Sequence, residues 1–284
     1  MEQLRGRVIG VDAGMFFHRV YSSVGGARSY HQVPHVPLDS AFEDSLNRLR
    51  TLCAKFDIKL VFVCDGFSNE LKKGEDTRRG AQRDAAQSAL RTLYEVATPS
   101  EDELATAMKL MKASCKTTVR VVAQLKAWAD AHPDDVRVVS ALFEADQQLA
   151  SMCKDGVIDA VLGEDGDFLC NGAPKVITSL DHTSGACQIY VLKDVLLSFG
   201  HAFSLSDFQV WCTFCGCDYL LSPLRLKPLV QTLAYRKLKS QKLKDAYISK
   251  LESVSFYGNK VADRVPIGPI GSSEKGITDI KREG

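Results

Sequence analysis

Leu60-Val61-Phe62-Val63-Cys64-Asp65-Gly66 is a short apolar run closed by an acid and a glycine. An uninterrupted apolar segment of this length reads as a strand buried on both faces, the signature of a parallel sheet. The same pattern stands at Val8-Ile9-Gly10-Val11, which ends in Asp12. It returns at Val136-Arg137-Val138-Val139 and at Ile158-Asp159-Ala160-Val161-Leu162, with weaker strands at residues 175–179 and 187–191. Between the strands lie helix-compatible stretches at residues 38–56, 74–96, 101–131 and 145–154. Strands alternating with helices predict an α/β fold with a mostly parallel sheet flanked by helices. Thr98-Pro99-Ser100 separates two of the helices, and Ser100 with Glu103 forms a capping-box signature for the second. Residues 207–251 read as mainly helical. From residue 256 onward the chain is punctuated by Gly, Pro and Ser without periodicity. The expected organisation is an α/β domain over residues 1–200, a helical region over 201–255 and a flexible tail over 256–284.

The chain has 284 residues, 45% of them apolar and 25% charged, which is enough to bury a sizeable core and excludes a disordered polymer. No apolar run approaches the roughly 18 residues of a membrane helix, and no secretory signal is expected before Asp12. Nine cysteines, an odd number, lead us to expect reduced thiols. Lys and Arg total 36 against 35 Asp and Glu, so bulk basicity cannot be the basis of any nucleic-acid binding. Local clusters of each sign carry the charge information.

The acids cluster relative to the strands. Asp12 and Asp65 each close one, Glu144 and Asp146 follow the third at a helix start, and Glu164-Asp165-Gly166-Asp167 follows the fourth. In an open parallel sheet the carboxyl ends of the strands share an edge where ligands bind, so these acids are expected to converge. Asp165 and Asp167, two apart in an extended segment, can point the same way. Glu144 and Asp146 would diverge on a regular helix and cooperate only if Glu144 lies at or before the first turn. Asp218, in Cys215-Gly216-Cys217-Asp218-Tyr219, joins from the helical region. Taken singly, any of these acids could be a helix cap. Together they would repel one another without cations. An all-oxygen set favours Mg²⁺, with Mn²⁺ as a substitute, and a two-ion site suits in-line displacement at phosphorus.

Val11-Asp12-Ala13, Val63-Cys64-Asp65-Gly66, Phe143-Glu144-Ala145-Asp146-Gln147, Gly163-Glu164-Asp165-Gly166-Asp167-Phe168-Leu169 and Gly216-Cys217-Asp218-Tyr219 resemble, in order, the acidic motifs of the structure-specific 5′ nucleases. That superfamily includes flap endonuclease, the mismatch-repair 5′ exonuclease and the XPG repair endonuclease. The resemblance spans residues 7–222. It implies a PIN-like sheet, a helical arch over residues 74–128 and a C-terminal helical subdomain. It further implies that Asp12, Asp65, Glu144 and Asp146 hold one metal while Asp165, Asp167 and Asp218 hold the other. Lys72 and Arg79 would contact the scissile phosphate as catalytic cations. The expected partners are 5′ ends, flaps and nicked or recessed duplex DNA, with RNA an open alternative, no membrane and a nuclear location foremost. Mitochondrion and cytoplasm stay open.

Basic residues fit this picture and also a plainer one. Arg78, Arg79 and Arg83 could pair with Glu75, Asp76 and Asp84 along a solvated helix. Lys109, Lys112, Lys116 and Arg120 form one helical stripe beside an apolar stripe of Met111, Cys115, Val119 and Val122. His18, in Phe16-Phe17-His18, reads by itself as a packed core residue. By resemblance it would stack on a base near the scissile bond, as a His does in the exonuclease branch. That position and the string Phe143 to Ala150 lean toward the exonuclease branch.

The resemblance is incomplete in the duplex-binding region. Residues 219–244 hold no acid but carry Arg225, Lys227 and further Lys and Arg, a one-signed density suited to an anionic partner. The family's duplex-binding hairpin has two glycines and a K⁺ site, whereas Ser222-Pro223-Leu224-Arg225-Leu226-Lys227-Pro228 has neither glycine. No sliding-clamp peptide is recognisable near the end. Cys212, Cys215 and Cys217 lack a fourth ligand at zinc-like spacing. The competing reading is a nuclease-like RNA-binding or scaffold protein without catalysis, acting in post-transcriptional control. A full set of convergent carboxylates argues against it.

Overall fold

Six strands form one sheet in the order β3-β2-β1-β4-β5-β6, from β1 (Val8–Asp12), β2 (Lys59–Cys64), β3 (Val136–Ser140), β4 (Ala160–Leu162), β5 (Lys175–Thr178) and β6 (Gln188–Val191). The first five strands run parallel, and β6 pairs antiparallel with β5. This computed structural model describes residues 1–24, 38–68, 70–96, 98–114, 119–199 and 203–215. The helices are α1 (Ala13–Val24), α2 (Leu38–Ala54), α3 (Lys73–Tyr94), α4 (Glu101–Ser114), α5 (Val119–Asp130), α6 (Ala145–Lys154), α7 (Asp167–Cys170), α8 (Leu192–Phe199) and α9 (Leu205–Cys215).

Strand alternation sorts the core onto two faces. From β2, Leu60, Phe62 and Cys64 pack with Phe16, Phe17, Leu46, Leu49, Leu125 and Trp128, so α1, α2 and α5 cover that side. Val61 and Val63 turn the other way, onto Leu149, Met152 and Phe168 of α6 and α7. Burial on both faces is why these strands read as continuous apolar runs. Gly10 lies beneath α6, where a Cβ would collide with the side chains of Ile158 and Leu149. Glycine leaves room for these two side chains against β1.

The expected long helix over residues 101–131 is realised as two helices, α4 and α5, and residues 115–118 between them lie outside the described set. The expected apolar stripe divides accordingly. Met111 packs with Leu90 and Ala107 in a small core between α3 and α4, while Val122 packs on the main core. Val119 is 88% exposed and belongs to neither. A single periodicity had run together residues that serve two separate cores.

The capping box forms as its signature predicts. Ser100 N–H and Oγ–H both donate to Glu103 Oε2 (2.8 Å each), and Glu103 N–H donates to Ser100 Oγ (3.3 Å). Replacing Ser100 by alanine should cost about 1 kcal/mol, seen as a lower midpoint in urea unfolding. An unchanged midpoint would show that α4 gains nothing from its cap. Ser204 and Asp207 make a second, unanticipated box at the start of α9, with Ser204 Oγ–H donating to Asp207 Oδ2 at 2.6 Å.

Candidate metal centre

Strand order decides where the acids meet. The chain starts at β1, moves outward to β2 and β3, then returns to the other side of β1 with β4, so the direction of winding reverses between β1 and β4. Such a reversal opens a crevice at the carboxyl ends of the strands. Asp12 is the last residue of β1, Asp65 follows β2, Glu144 and Asp146 follow β3, and Asp165 and Asp167 follow β4.

Each acid is held by its local backbone. Asp12 Oδ1 accepts Met15 N–H (3.1 Å) and so caps α1. Asp65 Oδ1 accepts Ala145 N–H (2.9 Å), which ties the end of β2 to the start of α6. Glu144 is the extended N-cap of α6, with φ −102° and ψ 135°, and Asp146 lies in the first turn. The condition for the pair to cooperate is thereby met. Asp165 and Asp167 converge by another route than the extended one expected: Asp167 begins α7, and its N–H donates to Asp165 Oδ1 (3.0 Å). A turn, not strand alternation, brings them together.

One oxygen each from Asp146, Asp165 and Asp167 lies within 4.8 Å of the others. Resemblance had grouped Asp146 with Asp12, Asp65 and Glu144. In the structure it stands between the sets, within ligating reach of Asp165 and Asp167, while Glu144 takes a different partner. Lys72 Nζ donates to Glu144 Oε2 (2.6 Å), with both side chains mostly buried.

The electrostatics show how tightly the acids are gathered. Burial pushes the Asp12 carboxyl up to about 6; the charges of Asp65 and Asp165 push the same way, and hydrogen bonds from Met15 and Gly14 oppose them. Asp146 is raised well above the ordinary carboxylate range by burial first and then by Asp12, Asp165 and Asp65, with Lys72 acting against them. Closely gathered, mutually repelling oxygen ligands, half-buried at Asp146 and Asp167 and exposed at Asp165, fit a hard divalent cation. Four strand ends thus gather a carboxylate-lined crevice on an α/β sheet, with a cluster that could hold a metal ion.

Because the folded pKa of Asp12 lies above its unfolded value, its contribution to stability is present below about pH 4 and is lost as pH rises through about 6. A shift of this size corresponds to roughly 3 kcal/mol. Thermal melts of the metal-free protein and of its Asp12→Asn variant, from pH 4 to 7.5, should therefore diverge in the variant's favour as pH rises. Mg²⁺ should close the gap from the parent's side. Parallel curves without metal would contradict this electrostatic assignment.

The basic residues occupy several settings. Arg78 and Arg79 both grip Glu75 and hold its carboxyl down to about 2, so the plainer helical pairing is realised. Arg83 is half-buried on α3. Lys109, Lys112 and Arg120 are exposed. His18 also reaches solvent on α1, which excludes the packed-core reading. Its pKa is lowered by partial burial and then by the ammonium of Lys112, so α4 brings a cation near this imidazole. Lys116, Asp218, Arg225 and Lys227 lie outside the described residues, as do Cys217 and the Cys215 side chain; Cys212 is half-buried and in no disulfide.

Glu164 was grouped with the converging acids but plays a structural part. It accepts Ser179 N–H (2.9 Å) and faces Arg19 (3.5 Å), joining the loops after β4 and β5. The capping role of Asp65 toward α6 was missed because its partner is distant in sequence.

Residues 135–218 match the family model for the XPG I-region. The chain is 28% identical to flap endonuclease 1 of Cryptosporidium muris over 273 residues, covering 89% of this chain and 53% of that relative. It is 25% identical to exonuclease 1 of Xenopus laevis, covering 78% of this chain and 29% of that one. Among solved structures, the catalytic core of Rad2 in complex with DNA substrate superposes with a TM-score of 0.62 at 16% identity, covering 93% of this chain and 74% of that chain. Over the XPG I-region the chain is similar to the XPG-type 5′ nucleases, and it spans about half the length, or less, of these two curated relatives.

Proposed function

We propose that this chain is a divalent-metal-dependent, structure-specific 5′ nuclease, a 5′–3′ exonuclease, a flap endonuclease or both, hydrolysing phosphodiester bonds of DNA in replication or repair. The observation that carries the reading is the convergence of Asp146, Asp165 and Asp167 at the winding reversal, beside the Lys72–Glu144 pair. The flap endonuclease and exonuclease relatives support it, as does the likeness to Rad2, whose structure holds a DNA substrate.

Asp146, Asp165 and Asp167 would hold a divalent ion, with Asp12, Asp65 and Glu144 available for a second. Mg²⁺, or Mn²⁺ in its place, would supply Lewis acidity to a phosphodiester in the crevice. Lys72 places an ammonium beside these ligands, where it would meet the negative charge that grows on the phosphoryl oxygens. Arg79 would do the same after exchanging Glu75 for phosphate. His18, with Lys112 near it, would receive an unpaired base and the adjoining backbone.

The test is cleavage of 5′-flap DNA, recessed-end DNA and matched RNA substrates in Mg²⁺. Cleavage that disappears with EDTA and in Asp165→Ala supports the reading. No cleavage of any substrate, or cleavage unaffected by the substitution, overturns it.

A further inference from the structure

Phe67 stands two residues beyond Asp65, with 68% of its surface exposed, and its backbone pairs with Leu142, two residues before Glu144. A single exposed aromatic needs no explanation in general. Here the surrounding backbone is unusually well tied. Ala141 N–H donates to Cys64 O (2.8 Å), Gly66 N–H to Phe143 O (2.6 Å) and Phe67 N–H to Leu142 O (2.8 Å), so residues 64–67 continue alongside the loop that leads to Glu144. Gly66 is wedged against the carbonyls of Ala141 and Leu142, with no room for a Cβ. On the far side, Ser68 Oγ–H donates to Asp76 Oδ2 of α3 (3.0 Å). The ring is thus carried by backbone fixed before and after it. It lies in sequence between the metal ligand Asp65 and the cation Lys72.

We propose that Phe67 is a base-stacking platform, which receives the face of an unpaired nucleobase next to the phosphodiester held in the crevice. The inference rests on the nuclease reading above and adds to it a specificity-determining residue. Carboxylates and their ions, together with Lys72, can engage only the sugar-phosphate chain. A nucleotide set in that crevice must direct its base outward, and the anchored ring offers it an apolar face. Stacking of this kind is indifferent to base identity, because every base presents a π-face. The ring would therefore select for an unstacked base, and so for a strand that has left its duplex, without reading sequence.

The experiment measures binding of fluorescein-labelled duplexes carrying a 5′ single-stranded arm to the full chain bearing Asp165→Ala, in Mg²⁺, so that no cleavage intervenes. One abasic nucleotide is moved stepwise across the junction. Adding Phe67→Ala should weaken binding about tenfold on the unmodified arm. At one abasic position it should cost nothing further, since the base is already gone. Phe67→Trp should retain binding, and Phe67→Leu should behave like the alanine variant. Each variant should keep the parent melting temperature, because the ring is in solvent. Undiminished binding by Phe67→Ala, an equal loss at every abasic position, or rescue by leucine overturns the stacking assignment alone. An Asp165→Ala parent that binds none of the duplexes overturns the nuclease reading along with it.

Discussion

Replacing Asp146 by asparagine should lower metal-dependent cleavage by on the order of a thousandfold while making the metal-free protein more stable. The two effects have one origin. Asp146 is largely withdrawn from water and faces the charges of Asp12, Asp165 and Asp65, so its ionised form is unfavourable until a cation arrives. Asparagine keeps the shape and removes the charge. It also removes an anionic ligand at a position from which Asp165 and Asp167 are within reach. The gain in stability should be a rise of about 2–4 °C in the melting temperature at pH 7.5 in EDTA. It should shrink as pH falls toward 4, because there the unfolded chain also holds the proton. With Mg²⁺ the order should reverse, since the parent binds the ion more tightly and gains more from it. An asparagine variant that cleaves at the parent rate, or that melts lower than the parent at every pH in EDTA, would remove Asp146 from the centre of the site.

Lys72→Met is the second large effect, and here activity and stability should fall together. Lys72 and Glu144 are 12% and 15% exposed, so the substitution leaves a carboxylate mostly out of water without its partner. Removing one member of a buried pair costs about 3–5 kcal/mol, and partial exposure lowers that expectation to about 2–3. Adding Glu144→Gln should recover most of the stability, because the uncompensated charge goes with it. It should recover none of the cleavage, which needs both the ammonium and the Glu144 carboxylate and falls by about 100-fold to 1,000-fold in Lys72→Met alone. Urea unfolding in EDTA and single-turnover cleavage separate the two roles. If the double variant stays as unstable as the single one, Lys72 holds the fold through other contacts.

The carboxyl edge could be read in the sequence because burial on both faces leaves β1, β2 and β4 as continuous apolar runs, and the acid after each run marks where the strand stops. Strand direction then brings Asp12, Asp65 and Asp165 to one edge without further information. What could not be read depends on turns and on distant partners. Asp165 and Asp167 meet through the turn opening α7, and two acids two apart are equally compatible with an extended segment. The placement of Asp146 toward Asp165 follows from the extended N-cap at Glu144, a single backbone angle that no periodicity reports. Helix α1 went unassigned because its apolar residues directly follow the strand and the acid, and Val20, Tyr21 and the serines after them are indifferent helix formers. The short α8 offered too few turns for a period to register. The pairing of Arg78 and Arg79 with Glu75 did follow from the i,i+3 and i,i+4 spacing, since helical neighbours are fixed by the helix itself.

The wedge at Gly66 has a consequence for how the site can change over time. Because the segment after β2 is laced to the loop after β3, Asp65, Glu144 and the start of α6 are held in one hydrogen-bonded unit. Asp165 and Asp167 sit on a separate part, joined to it through β1 and the packing of α6. A residue added on either side of the Gly66 wedge is therefore expected to shift Asp65, Glu144 and Asp146 together.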